Sequence, residues 1–368
     1  MYLHYPSKKS VEEIINSTKS VKFSAEFSDD ENLLIIGENL RVLKTLLDKG
    51  YGGKIDLVYI DPPFATKNIF RSSNDRSATI SSSHTDDIAY TDDIVGSEYI
   101  EFLRERLIMI RELMSDRSSI YLHIDYKIGH YVKVMMDEIF GITNFRNDIA
   151  RIKCNPKNFK RKGYGNIKDL ILFYTKTDDF IWNEPMVQRT DDEVERLFKK
   201  IDKDGRRYTT TPLHAPGETK NGVTGQMWRG KYPPKGRHWR YDPKVLDELD
   251  SQGLIEWSKT GVPRKIIFAD ELFLKRMQDI WEFKDPQNPE YPTQKNLELL
   301  ETIIKTSSNQ DSIVLDCFCG SGTTLVAADI LERRWIGVDC SKKAITIAIK
   351  RLENQGFFSR FKCVETHE

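Results

Sequence analysis

The chain has 368 residues and a mass of 42.8 kDa, with 56 Lys+Arg against 56 Asp+Glu and 39% hydrophobic, 11% aromatic and 30% charged residues. That mixture excludes a collagen-like or fully disordered chain, and no apolar run is long enough to span a bilayer. The zero net charge also removes the simplest signature of a nucleic-acid partner, a strongly basic chain.

The first part, residues 1–150, alternates strand and helix signals. The start of the chain, MYLHYPSKKS, lacks the apolar stretch of a secretory signal. Leu33 to Ile36 is a short apolar run stopped by Gly37, and Leu40, Leu43 and Leu47 then recur at helical spacing over 38–48. Ile55 to Ile60 is a β-rich run ended by Asp61-Pro62-Pro63. Residues 65–96 are rich in Ser, Thr, Asp and Asn, and they predict a long loop that is either functional or disordered, with closure over a bound substrate as its expected role. A helix is expected over 97–114, a strand over 120–124 and a helix over 127–140. Buried apolar runs that alternate with helices predict a parallel sheet.

Residues 151–290 are irregular and hold the basic residues in two acid-free runs. Arg151 to Lys168 contains seven: Arg151, Lys153, Lys157, Lys160, Arg161, Lys162 and Lys168. Lys220 to Arg240 contains six: Lys220, Arg229, Lys231, Lys235, Arg237 and Arg240, with Trp228, Tyr232 and Trp239 among them. The segment carries 28 Lys and Arg against 22 Asp and Glu, so the rest of the chain is acidic by the same six charges. Residues 291–368 return to α/β: a helix at 293–306, a strand at 312–316, a glycine turn, a helix at 323–332, a strand at 335–339 and a helix at 341–353. Five cysteines (Cys154, Cys317, Cys319, Cys340 and Cys363) show no pairing pattern, which predicts a reduced, cytoplasmic compartment.

Two motifs carry chemistry. Asp316-Cys317-Phe318-Cys319-Gly320-Ser321-Gly322-Thr323-Thr324 follows a strand and opens a helix. Its glycines let backbone approach a ligand, and Asp339, at the end of the next strand, can accept from ribose hydroxyls. No Lys-Ser/Thr pair follows, so this is not a phosphate-binding loop, and the spacing is not that of a dinucleotide site. Asp61-Pro62-Pro63-Phe64 also follows a strand. The prolines remove two N–H donors. The Asp61 carboxylate and the Pro62 carbonyl remain as acceptors for the two hydrogens of an amino group, beside a ring that can stack on a flat base. Cys317 and Cys319 are small turn residues, since no second Cys/His pair completes a zinc set, and no metal is expected.

Together these motifs resemble those of the S-adenosylmethionine-dependent amino-methyltransferases of DNA. Asp61 to Phe64 resembles their D-P-P-[YFW] catalytic motif, and Phe318, Gly320 and Gly322 their F-x-G-x-G cofactor motif. The catalytic motif precedes the cofactor motif, the order of the beta class. The resemblance implies a doubly wound, mostly parallel Rossmann-like α/β sheet, circularly permuted, with a target-recognition region inserted at 151–290. Ile36 to Leu40 and Tyr291 to Lys295 are similar to two further elements of the family, with Glu38 where Asp is commoner and Tyr291 where His is.

The resemblance implies catalysis by Asp61, Pro62, Pro63 and Phe64 on a flipped-out base. It implies S-adenosyl-L-methionine held by Glu38, Thr293, Lys295, Asp316, Phe318, Gly320, Gly322, Thr323 and Asp339. It implies double-stranded DNA bound by Arg151, Lys153, Lys157, Lys160, Arg161, Lys162, Arg229, Lys231, Arg237 and Arg240. The expected reaction is methylation of adenine N6, with cytosine N4, or an inactive DNA-reading subunit, as the alternatives. A homodimer and a separate restriction subunit are the expected assemblies, in a prokaryotic cytoplasm and with no membrane.

Overall fold

The structure, a computed structural model, describes residues 2–63, 69–72, 87–91, 96–156, 160, 162–219, 221–287, 294–354 and 361–368. It divides into a larger unit, 1–185 with 278–368, and a smaller one, 186–277.

The larger unit is built on a ten-stranded sheet. Its strands are β1 (Lys22–Phe23), β2 (Asn32–Ile36), β3 (Ile55–Ile60), β4 (Met114–Ile124), β5 (Phe145–Ile152), β6 (Lys168–Thr175), β7 (Ile280–Glu282), β8 (Ile313–Asp316), β9 (Arg334–Asp339) and β10 (Phe361–His367). The order across the sheet is β1-β10-β2-β9-β8-β3-β4-β6-β5-β7. From β10 through β4 every neighbouring pair is parallel. β6 runs antiparallel to both β4 and β5. Strands β8 and β9, from late in the chain, thus lie between β2 and β3, from its beginning. This is the permuted, mostly parallel α/β sheet that the motif order implied.

Local sequence accounts for the elements. The central strands are apolar throughout because both faces are covered. Leu33, Ile35, Val58, Ile60, Leu315, Ile336 and Val338 join one buried cluster with residues of the helices before residue 141. The alternate residues Leu34, Leu57 and Val314 are also fully buried. The helices are α1 (Val11–Ser17), α2 (Asn39–Leu46), α3 (Ser97–Leu113), α4 (Gly129–Phe140), α5 (Leu297–Ser307), α6 (Thr323–Ile330) and α7 (Lys342–Asn354). Ser10, Glu38 and Asn296 cap α1, α2 and α5 with their side chains, satisfying N–H groups that the helices leave open.

The structure departs from the sequence expectations at several points. Ile69–Ser72 and Asp87–Thr91 pair as antiparallel strands inside the segment expected as a loop; its other residues, and with them most of the expected closing segment, lie outside the described residues. The irregular segment starting at residue 151 is not all inserted: β5, β6 and β7 belong to the large sheet, so the separate unit begins at Met186 and ends at Met277. β10 was not expected either.

The smaller unit has a four-stranded antiparallel sheet of Lys200–Ile201, Arg207–Pro212, Pro263–Phe268 and Ile255–Trp257. Leu213, Trp228, Trp239 and Leu246 form its small core. Trp228 and Trp239, which sit within a basic run, are therefore packing residues: Trp228 Nε1 donates to Asp247 and Trp239 Nε1 to the Gln226 carbonyl.

Candidate active site

Strands β8 and β3 are parallel neighbours, with Val314 opposite Leu57 and Leu315 opposite Val58. Their carboxyl ends therefore bring Asp316 and Asp61 to the same edge of the sheet. Asp339 ends β9 on one side, and His123 lies near the end of β4 on the other. Ligands of open α/β sheets bind at this edge, where the strand order reverses.

The glycine turn is tightly built. Gly322 adopts φ 76° and caps α6. A Cβ there would stand 2.9 Å from Ala348 Cβ, which together with the positive φ restricts the position to glycine. The Gly320 N–H donates to Asp339 Oδ2 at 2.9 Å, and the Ser341 N–H donates to Oδ1 at 2.8 Å. The Cys340 N–H also bonds this carboxylate, whose roughly four acceptor sites still leave room for a hydroxyl. Burial raises the pKa of Asp339, opposed by those backbone N–H groups. Phe318 is half-buried against Phe102, whose ring lies under the Arg106 guanidinium.

Other candidates for cofactor contact are occupied by the fold. Asp316 is buried and accepts from the Phe318 N–H and from the Thr324 hydroxyl at 2.6 Å. Burial pushes its pKa up to about 7, against those two hydrogen bonds. Glu38 accepts from the Leu40 and Arg41 N–H groups and pairs with Arg106, so its present role is a helix cap. The Thr323 hydroxyl accepts from Arg351 at 3.0 Å. Thr293 lies outside the described residues, as does Phe64.

Asp61 is differently placed. Its Oδ2 receives the Lys295 ammonium at 2.9 Å. Its Oδ1 is buried and, among the described residues, has no hydrogen-bond partner. Pro62 beside it is buried and Pro63 half-buried. A buried carboxylate oxygen without a donor is costly unless a ligand supplies one. Behind Asp61 lies a polar line of which the sequence offers one member, His123 at a strand's end beside the site, but not its partners. Tyr59 Oη is 2.9 Å from His123 Nδ1, His123 Nε2 is 3.4 Å from Asp169 Oδ2, and Lys153 donates to Asp169 Oδ1 at 2.6 Å. In the sequence, only the polar Asp169 inside an apolar strand run hinted at them.

The basic residues divide. Arg151 is fully buried: it donates to the Phe283 carbonyl at 2.8 Å and pairs with Asp285. It cannot face a phosphate, and the expectation that it binds DNA is corrected: its β5 position turns the side chain into the core. Lys153 is half-buried on Asp169. Lys160 and Lys162 are exposed, and Lys157 and Arg161 lie outside the described residues. In the smaller unit Arg229, Lys231, Arg237 and Arg240 are exposed. Arg229 pairs with Asp250, Lys231 donates to the Gly261 carbonyl, Arg237 meets His214, and Arg240 donates to the Pro212 carbonyl.

Residues 55–350 match the model of one protein family, the DNA methylases of N6 and N4 type. The chain is 37% identical over 362 residues to the Type II methyltransferase M.EcaI of Enterobacter cloacae, covering 95% of this chain and 77% of that protein. It is 26% identical over 345 residues to the Type III restriction-modification enzyme StyLTI Mod subunit of Salmonella typhimurium, covering 84% of this chain and 51% of the subunit. The chain thus spans about half the length of that Type III relative. Among solved structures, the M1.HpyAVI-SAM complex aligns with 87% of this chain and 98% of its own, at 18% identity and a TM-score of 0.47. No helix among the described residues is long and apolar enough to cross a membrane.

Proposed function

The chain belongs to the DNA methylase family, and from that premise we propose that it transfers a methyl group from S-adenosyl-L-methionine to the N6 amino group of adenine in duplex DNA. One observation carries the reading. Asp61 presents a buried carboxylate oxygen without a partner among the described residues, its other oxygen held by Lys295, at the strand end next to the glycine turn.

The residues present fit the cofactor. The Gly320–Gly322 turn admits close backbone approach, Asp339 can accept from ribose hydroxyls, and Phe318 offers a ring to a flat base. When bound there, S-adenosyl-L-methionine supplies an electrophilic methyl group. The chain's own residues do the remaining work. The target base must leave the stack for its amino group to reach a protein pocket. Asp61 Oδ1 and the Pro62 carbonyl accept the two amino hydrogens, which aims the nitrogen lone pair and raises its electron density. Lys295 fixes the carboxylate and balances its charge. Phe64 stacks on the base. Much of the rate then comes from holding the nitrogen in line with the methyl carbon.

Exposed lysines and arginines in the two basic runs supply affinity through phosphate, and the smaller unit reads sequence. The reading extends to a homodimer in a bacterial cytoplasm and to a separate restriction subunit as partner. Asp-Pro-Pro rather than Ser-Pro-Pro favours adenine over cytosine.

The test is to incubate the protein with DNA and labelled donor, digest to nucleosides and analyse them by mass. N6-methyladenine is expected; N4-methylcytosine would replace the acceptor and leave the rest. Asp61→Ala should lower turnover by at least about 100-fold, within the range such groups contribute. Donor binding by calorimetry should stay unchanged. Undiminished turnover in that variant would remove Asp61 from the reaction.

A further inference from the structure

We infer that His123, oriented by Asp169, is a positioning residue for Asp61: its Nδ1 faces the carboxylate and receives the proton that the methylated amine sheds. The inference rests on the methyl-transfer reading above and concerns the part of that reaction that Asp61 alone leaves unfinished.

The geometry fixes a tautomer. Asp169 is 2% exposed, and His123 is fully buried. Asp169 Oδ2 stands 3.4 Å from His123 Nε2, so that nitrogen carries the hydrogen and donates it. Tyr59 Oη stands 2.9 Å from Nδ1, so the Tyr59 hydroxyl donates to the Nδ1 lone pair. Asp61 Oδ1 lies 4.0 Å from the same Nδ1. The groups that face this imidazole come from four segments. Tyr59 and Asp61 come from β3 and the residue after it, and Asp169 from β6. Arg151 on β5 and Lys153 just after it act on it through Asp169, and Lys295 approaches from the segment before α5. Burial first, and the Lys295 ammonium second, hold the imidazole below its ordinary pKa of 6.5 and so keep it neutral. Burial opposes ionisation of Asp169, but the hydrogen bond from His123 and the hydrogen bond and charge of Lys153 outweigh it and hold its carboxyl well below the usual range.

The step balances as follows. The nitrogen lone pair forms the N–C bond while the C–S bond breaks, and its electron pair stays on sulfur. The nitrogen then carries one proton too many. That proton goes to Asp61 Oδ1, leaving a neutral methylamino group. From Asp61 it passes to His123 Nδ1, as the Tyr59 hydroxyl hydrogen rotates away. The imidazolium is balanced by the Asp169 carboxylate and gives its proton to water before the next turnover. A carboxylate reset in this way is ready for the next amine.

Two measurements test it. The first is the multiple-turnover methylation rate against pH for wild type, His123→Gln and Asp169→Asn, with donor binding and thermal unfolding as controls. The expected result is a loss of about tenfold to 100-fold with donor binding retained. The wild-type rate should fall as pH drops through the lowered His123 pKa, and this limb should be absent in His123→Gln. An active wild type matched by His123→Gln in rate and profile would overturn the inference alone. A wild type that methylates no DNA would remove the methyl-transfer reading as well. The second measurement needs neither cofactor nor a stable variant: nitrogen-15 resonance of the histidine-labelled full chain at neutral pH. A neutral His123 protonated at Nε2 is expected, and an Nδ1–H or doubly protonated ring would overturn the inference.

Discussion

At the scale of single residues, two carboxylates at neighbouring strand ends differ in what they face because of their partners. Asp316 is buried and turned inward, where it accepts from Thr324 and the Phe318 N–H. Asp61 keeps one oxygen for which no donor is supplied among the described residues. Burial raises the Asp316 pKa from 3.8 to about 7, so the folded chain binds this proton more tightly than the unfolded chain. The unfolded state then binds fewer protons between those values, and stability falls as pH rises from about 4 to about 7. Asp316→Asn keeps the shape and the hydrogen bond from the Phe318 N–H, turns an amide donor toward the Thr324 hydroxyl, and removes the charge. Its stability by urea unfolding should lack this contribution, and relative to wild type it should improve as pH rises through that window. The sequence supplied both aspartates as candidates. It could not say which faced inward, because a strand-end acid can cap its own turn or face a ligand with the same neighbours in sequence.

At the scale of elements, the legible parts were those whose pattern is local. The expected strands at 33–36, 55–60 and 335–339 and the helix at 127–140 lie within a few residues of β2, β3, β9 and α4. β4 begins at Met114 rather than Ile120 because Ser118 and Ser119, polar by composition, are buried between neighbouring strands. β6 was hidden behind a basic stretch, although Leu170 to Tyr174 is a continuous apolar run. Glu38 shows the same dependence on context: it is the cap of α2 and the partner of Arg106, whose side chain is only 7% exposed. Glu38→Ala removes the cap and leaves a buried guanidinium without its carboxylate, so it should destabilise by about 1–3 kcal/mol in denaturant unfolding. Glu38→Gln, which retains an acceptor for the cap, should recover part of that loss.

At the scale of the whole molecule, the neutral total hides a basic segment and acidic flanks, and the fold divides the basic residues again. Arg151 lies in the core of the larger unit, while Lys160 and Lys162 are exposed. Replacing Lys160 and Lys162 by Gln should leave stability within about 0.5 kcal/mol, as expected for exposed sites. It should flatten the slope of log affinity for DNA against log salt by up to about two. Arg151→Ala should do the reverse: a loss of about 3 kcal/mol or more, from Asp169 and Asp285 left without their buried partner, at an unchanged salt slope. Filter binding across salt, alongside urea unfolding, separates the two effects. By itself, the sequence determined the two motifs, their order and the alternation of strands and helices. Those depend on local periodicity and on the conformational limits of glycine and proline. Only the tertiary structure decided that β8 lies beside β3, that His123 and Asp169 line up behind Asp61, and that Arg151 is a core residue. Each of these depends on which distant strands become neighbours and which face a side chain takes, and hydrogen bonding across the sheet sets both.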